Sequence, residues 1–419
     1  MQGTSIIKFK RWAILSLFNF CLVAALGVLL RYKIAFSLPL MNYNYIMEAH
    51  SHFAFSGWIS TAIFTAMVYM LSNSGYPVGK NYTLQFRMAQ TASFGMLLSF
   101  TFEGYGLLSI SFSMLFILFS WWFALQYWKD VGKSDLPFSV KRWTKAALFF
   151  FVLSSLGILM LAYLRSHKID SPEFYFNALY LFLHFQYNGW FSFGILALFF
   201  YSAHHLKISF DVNKEIWCFI FMLAACIPAY CLSLLWMNPP TWVFAVAAAA
   251  ALLQMAALVL FLFVLRKAWV RIPEIHLQIK LLWSLSLFAF IIKLVLQTCS
   301  VVPDFGRLAF GFRPVIIAYL HLVMLGFISF FIIGFFIKEE LVYNFRGIWQ
   351  KGLFTFITGV VLMEVLLLIQ ALTSINNRIQ SFTPVLLFLS AIILLAGVSL
   401  MWVSQLKFPL QTKSQIQVT

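Results

Sequence analysis

Twelve apolar runs, each near the length needed to cross a bilayer, follow one another along these 419 residues with short polar breaks between them. About 20 residues of helix cover roughly 30 Å of hydrocarbon. The first six runs are Trp12–Leu30, Met47–Leu71, Met88–Glu103, Leu107–Trp128, Ala146–Leu164 and Phe174–Tyr201. The second six are Ile216–Trp236, Trp242–Leu265, Leu281–Thr298, Val315–Ile337, Gly352–Leu372 and Pro384–Val403. The third is the least distinct, because Gly104-Tyr105-Gly106 leaves almost no loop before the fourth. With 62% hydrophobic residues, 49 Phe and only 10% charged residues, no soluble domain could hide the apolar surface. The expectation is an all-α polytopic membrane protein, one integral domain over residues 1–419 with twelve transmembrane helices. Trp12 to Leu30 is a full-length span without a small-residue cleavage site, so it reads as a retained first helix.

The net charge of +16 does not point to nucleic acid, because the basic residues sit in short loops between apolar runs. With the N-terminus inside, the inner segments carry 21 Lys and Arg and the outer loops seven. That bias follows the positive-inside rule and puts both termini in the cytoplasm. The five cysteines lie in or beside apolar runs with no CxxC, so no disulfide framework is expected.

Four of the eight histidines fall inside spans: His50 and His52 in the second, His184 in the sixth, His321 in the tenth. Even-numbered spans enter from outside, and the helical rise puts all four roughly 5–15 Å below the outer surface. An imidazole in hydrocarbon is a candidate site by default; the alternative is a hydrogen bond to a neighbouring helix. A b-type haem suits this set better than a bare ion, since it takes an axial imidazole from each side and a wide apolar slot. Gly57, Gly189 and Gly326, five to seven residues past the histidines, would give a macrocycle room. Arg31, Arg307, Arg313 and Arg378 lie on the outer side, where they would pair propionates or anchor loops at the headgroups.

These patches resemble the catalytic subunit of the haem-copper oxidase superfamily, in its nitric oxide reductase and related oxidase branch. Leu183-His184-Phe185-Gln186-Tyr187-Asn188-Gly189-Trp190-Phe191 is similar to the sixth-helix motif, whose His binds the non-haem metal. Ala49-His50-Ser51-His52-Phe53 resembles the second-helix motif that ligates the low-spin haem, and Ala318-Tyr319-Leu320-His321 the tenth-helix motif. The resemblance covers the chain by topology and is specific in these three patches. It implies a low-spin haem held by His50 and His321, with a cytochrome or quinol as electron donor, in a bacterial inner membrane.

The departures from the family pattern matter as much. The family's seventh helix carries a His-His pair, and Ile216–Trp236 has no histidine; the tenth-helix position of the high-spin haem ligand is Tyr319. His184 is then an orphan metal ligand, which puts copper or non-haem iron in doubt and argues against proton-pumping oxygen reduction. It would instead hydrogen-bond within the old cavity, to Tyr319 or a water. His52 rivals His50 for the haem, and Tyr319 is an alternative axial ligand. Cys226 and Tyr230, one turn apart, are substitute donors for the missing metal ligands. Lys293 and Glu364 fall at one depth near the membrane middle and are expected to pair or share water. Glu48 and Glu103 are expected to be solvated near the outer surface, and His204-His205 to be a solvated helix end.

Three functions follow. The first is haem-dependent electron transfer, or sensing or handling of a small gas such as nitric oxide, by a degenerate member of the superfamily. The second is an atypical oxidoreductase reducing oxygen or nitric oxide at a site built on His184, Tyr187, Asn188 and Tyr319. The third is a transporter, or a haem or metal carrier, with histidines that bind cargo; no half-to-half repeat supports it.

Overall fold

The computed structural model describes residues 2–271, 276–306, 312–344, 347–375 and 382–406, which form helices and loops without any strand. The long helices among them are α1 (Gln2–Ala35), α2 (Tyr43–Asn73), α3 (Lys80–Glu103), α4 (Leu107–Lys133), α5 (Phe138–Ser166) and α6 (172–205). They continue as α7 (Val212–Met237), α8 (Thr241–Arg271), α9 (Leu277–Cys299), α10 (Arg313–Lys338), α11 (Ile348–Ile375) and α12 (Thr383–Leu406). Ten of these are long and apolar enough to cross a membrane, which makes this an integral membrane protein. The two that fall short in apolarity are α3 and α6. Both are long, but their middles carry amides: Gln85 and Gln90 in α3, Gln186 and Asn188 in α6.

Those amides face protein. In α3, Gln90 accepts from Asn19 Nδ2 (2.7 Å) and donates to Thr61 Oγ1 (2.5 Å), which joins α1, α2 and α3 through buried polar groups. In α6, Gln186 donates to Ser154 of α5 at 2.8 Å. Buried polar groups that are paired in this way stabilise a packing arrangement instead of exposing a helix to water.

The chain divides into two compact units, Met1–Phe123 with Ile332–Thr419, and Ala124–Phe331. In the first, α12 packs on α1 and α11, and α2 on α1 and α3; in the second, α5 packs on α6, and α8 on α7 and α9.

The three histidine-bearing helices share a local irregularity. A π-helical turn follows the histidines in each: Ala54–Ser60 in α2, Phe185–Phe191 in α6 and Leu322–Ser329 in α10. Hydrogen bonds to the fifth residue back widen such turns and leave carbonyls short of partners. Hydroxyls five residues on supply donors: Thr61 to Ser56 O (2.9 Å), Ser192 to Tyr187 O (2.6 Å) and Ser329 to Met324 O (2.7 Å). Neighbouring helices supply more, with Asn19 of α1 donating to Gly57 O and Ser286 of α9 to Phe327 O, both at 2.6 Å. The glycines of these turns admit protein, not a macrocycle: Gly57 backs onto Phe53, Gly189 onto Phe150 and Gly326 onto Ala289.

Candidate functional site

In the first unit, one side of α1 is shaped around His50. Val23, Gly27 and Arg31 recur at four-residue spacing and so share a face. His50 Nδ1 lies 3.0 Å from Val23 O. A carbonyl oxygen only accepts, so Nδ1 holds the proton and Nε2 holds the lone pair of the neutral ring. This backbone tether is how proteins orient an imidazole for metal ligation through its other nitrogen. At Gly27 a Cβ would stand 3.4 Å from His50 Cε1, so the glycine lets the ring lie close against α1. Arg31, one turn further, is only 8% exposed, and among the described residues nothing accepts a hydrogen bond from its guanidinium. It is within electrostatic reach of His50 and Tyr43. A buried cation so placed is suited to an anionic group.

His52 has a different setting on the same helix. Its ring stacks on Phe100 with centroids 4.2 Å apart, its Nε2 is 3.3 Å from Tyr105 OH, and Glu48 Oε2 is 3.9 Å away. Glu48 in turn is bonded to Tyr105. Glu48 is therefore part of a carboxylate–phenol–imidazole cluster, in place of the expected solvated carboxylate. Glu103 also departs from expectation: its Oε1 accepts from Ser109 N at 2.7 Å and caps the start of α4.

In the second unit, His184 is 1% exposed and uses both ring nitrogens. Nε2 donates to Cys226 O at 2.8 Å, and Nδ1 accepts from Asn188 Nδ2 at 3.1 Å. The Cys226 carbonyl is available because α7 tightens there into a 3₁₀ segment, Pro228–Met237, where Tyr230 N bonds Ile227 O instead of reaching back four residues. Lys293, 1% exposed, donates to Asn188 Oδ1 at 2.5 Å and Gln297 Oε1 at 3.0 Å. The result is one buried chain of groups, Gln297, Lys293, Asn188, His184 and the Cys226 carbonyl.

That chain does not fit a metal ion. His184 Nε2 carries a proton, its Nδ1 lone pair is taken, and an amine stands one amide away. Among the described residues no cluster of three or more His, Cys, Asp or Glu side chains could hold a metal. Tyr230, the expected substitute donor with Cys226, gives its hydroxyl to Asn177 O at 2.9 Å. His184 bonds Cys226 O and Asn188, not Tyr319, whose buried hydroxyl finds no partner among the described residues. The Tyr319 ring meets Tyr187 edge-on at 5.9 Å.

His321, also in the second unit, bonds within its own helix: Nδ1 donates to Ile317 O, four residues back, at 2.8 Å. Arg313 is exposed in the first turn of α10, whereas Arg307 and Arg378 lie outside the described residues. The partners of Lys293 within its unit are amides; Glu364 belongs to the other unit, where its Oε1 is buried without a hydrogen bond.

Two features at the helix ends escaped sequence reasoning. Glu215, fully buried at the start of α7, pairs with Arg142 and accepts from Trp143 Nε1 at 2.7 Å, which ties α5 to α7. His204 Nε2 is 3.0 Å from Ser139 Oγ, joining the end of α6 to the start of α5, while His204 and His205 are both exposed, as expected of this helix end. Partial burial and then the neighbouring His205 push the His204 pKa below its usual value.

Comparison with protein-family models and with curated proteins gives no match to this chain.

Proposed function

We propose that this chain is a haem-binding membrane protein of the haem-copper oxidase catalytic-subunit type, with twelve spans and both termini cytoplasmic in a bacterial inner membrane. It keeps a low-spin b-type haem and lacks the ordinary binuclear centre. The observation that carries this reading is the setting of His50: a backbone-tethered Nδ1, a lone pair on Nε2, a glycine against the ring and, one turn on, a buried Arg31 with no ion-pair partner among the described residues. His50 rather than His52 is the ligand in this reading, because the His52 nitrogen is engaged by Tyr105 near Glu48. The resemblance assigns the second axial position to His321, whose Nδ1 bonds a carbonyl of its own helix.

Bound haem would supply a one-electron redox change. His50 orients and ligates, and Arg31 neutralises a carboxylate. The resulting role is electron transfer from a cytochrome or quinol, or haem-dependent sensing or handling of a small gas such as nitric oxide. His184 and Lys293 serve as a structural polar chain, so no copper or non-haem iron is part of this reading.

Optical spectra of the detergent-purified protein, oxidised and dithionite-reduced, test the proposal. A six-coordinate b-type spectrum supports it. A protein purified from haem-replete cells without a Soret band overturns it.

A further inference from the structure

The second unit holds an apolar cavity of about 60 Å³ between α6, α8, α9 and α10, partly open to the outside. Its walls include Ile195, Phe199, Phe261, Leu287 and Phe327. Two lining residues carry polar groups, and both are spent on backbone: Ser286 Oγ donates to Phe327 O (2.6 Å) and Trp283 Nε1 to Phe331 O (3.3 Å). The side chains thus have no spare donor to hold water or a polar ligand, and a cavity lined this way favours hydrocarbon. Along α6 it extends from Ile195 to Leu206 and Ile208 in the turn beyond, which brings it to the end of the unit where the basic loops lie.

At that end three of the four lining helices or their adjoining turns add a cation beside a lining residue. Lys207 stands between Leu206 and Ile208, Arg266 follows Leu265, and Lys280 is one turn before Trp283. Lys207 and Arg266 are exposed and Lys280 is partly so, and none has an ion-pair partner among the described residues. The neighbouring acids Asp211 and Glu215 are already paired, with Lys214 and Arg142. An apolar slot whose basic rim has no ion-pair partner among the described residues complements one chemistry, a hydrocarbon chain attached to a phosphate.

We propose that this partly open cavity seats a segment of an acyl chain of an anionic phospholipid, with Lys207, Arg266 and Lys280 around its phosphate. The inference is independent of haem. Native mass spectrometry of the full chain, equilibrated in micelles with equal phosphatidylglycerol and phosphatidylethanolamine, reads it directly. The expected result is several-fold preferential retention of phosphatidylglycerol. The triple variant Lys207→Gln/Arg266→Gln/Lys280→Gln, altered only at partly or fully exposed positions, should reduce that preference to near unity while eluting as the native monodisperse species. Leu206→Trp, which narrows the slot, should lower phosphatidylglycerol retention with the rim intact. Equal retention of both lipids by the unmodified protein, or an unchanged preference in the triple variant, would overturn the proposal.

Discussion

His50 and His184 stand just ahead of a π-helical turn in two different units, and their hydrogen bonds give them opposite capacities. At His50 one backbone carbonyl fixes the proton on Nδ1 and the second nitrogen keeps its lone pair. At His184 a carbonyl takes the Nε2 proton and an amide fills Nδ1. The two also differ in their cations. Arg31 near His50 has no ion-pair partner among the described residues, whereas Lys293 near His184 donates to two amide oxygens. A histidine in a membrane helix is thus able to ligate or spent as a strut according to what its neighbours leave unpaired.

The largest effect that could break this contrast is in the haem signal itself. His321→Ala should abolish the low-spin haem spectrum, since a six-coordinate site depends on both axial nitrogens, whereas His52→Ala should leave it in place. Loss of the spectrum in His52→Ala would move the ligand to the Glu48–Tyr105 cluster.

Stability sharpens the other side of the contrast. Lys293→Met leaves Asn188 Oδ1 and Gln297 Oε1 without their donor, and each buried acceptor so orphaned costs roughly 1–3 kcal/mol. The thermal midpoint in detergent should fall by several degrees while haem content per folded protein is unchanged. An unaltered midpoint would show that the polar chain is not structural.

A smaller change is expected at Arg31. Removing a buried positive charge beside a haem favours the oxidised form, so Arg31→Leu should lower the midpoint potential, by up to about 60 mV if the interaction is worth a tenfold change in the one-electron equilibrium. A potential that does not move would detach Arg31 from the cofactor.

The smallest effect is at the other end of the second unit. His204 has a pKa below the usual 6.5, because partial burial disfavours its charged form and His205 adds repulsion. The folded state therefore favours the neutral ring. Its stabilisation is present above pH 6.5 and is lost as pH falls through the lowered value. The group is partly exposed, so the change should be under about 1 kcal/mol, read as a shallow acid-side fall in the thermal midpoint that His204→Gln flattens.

Much of the helical order was legible in the chain, because length and apolarity are enough to mark a span. The run at Trp12–Leu30 sits inside α1 and that at Leu281–Thr298 inside α9. The helices overrun several of these limits: α5 starts at Phe138, eight residues before the apolar run, because Lys141, Arg142 and Lys145 continue the helix beyond it. The placement of His50, His184 and His321 inside long helices was readable too. Their roles were not, since a role depends on which nitrogen is bonded and by what. The His184 contact arises from a carbonyl released by a 3₁₀ segment in another helix, and π turns follow from five-residue hydrogen bonds that leave no composition signal. Gly57, Gly189 and Gly326 misled for the same reason: a glycine in a span marks close approach without saying of what.

The central claim is that His50 ligates haem and His184 does not, and haem content measured as the pyridine haemochrome on three proteins purified in parallel tests it most directly. The unmodified chain and His184→Ala should carry the same haem per folded protein, and His50→Ala should carry little or none. Full haem in His50→Ala, or its loss in a folded His184→Ala, would contradict the account.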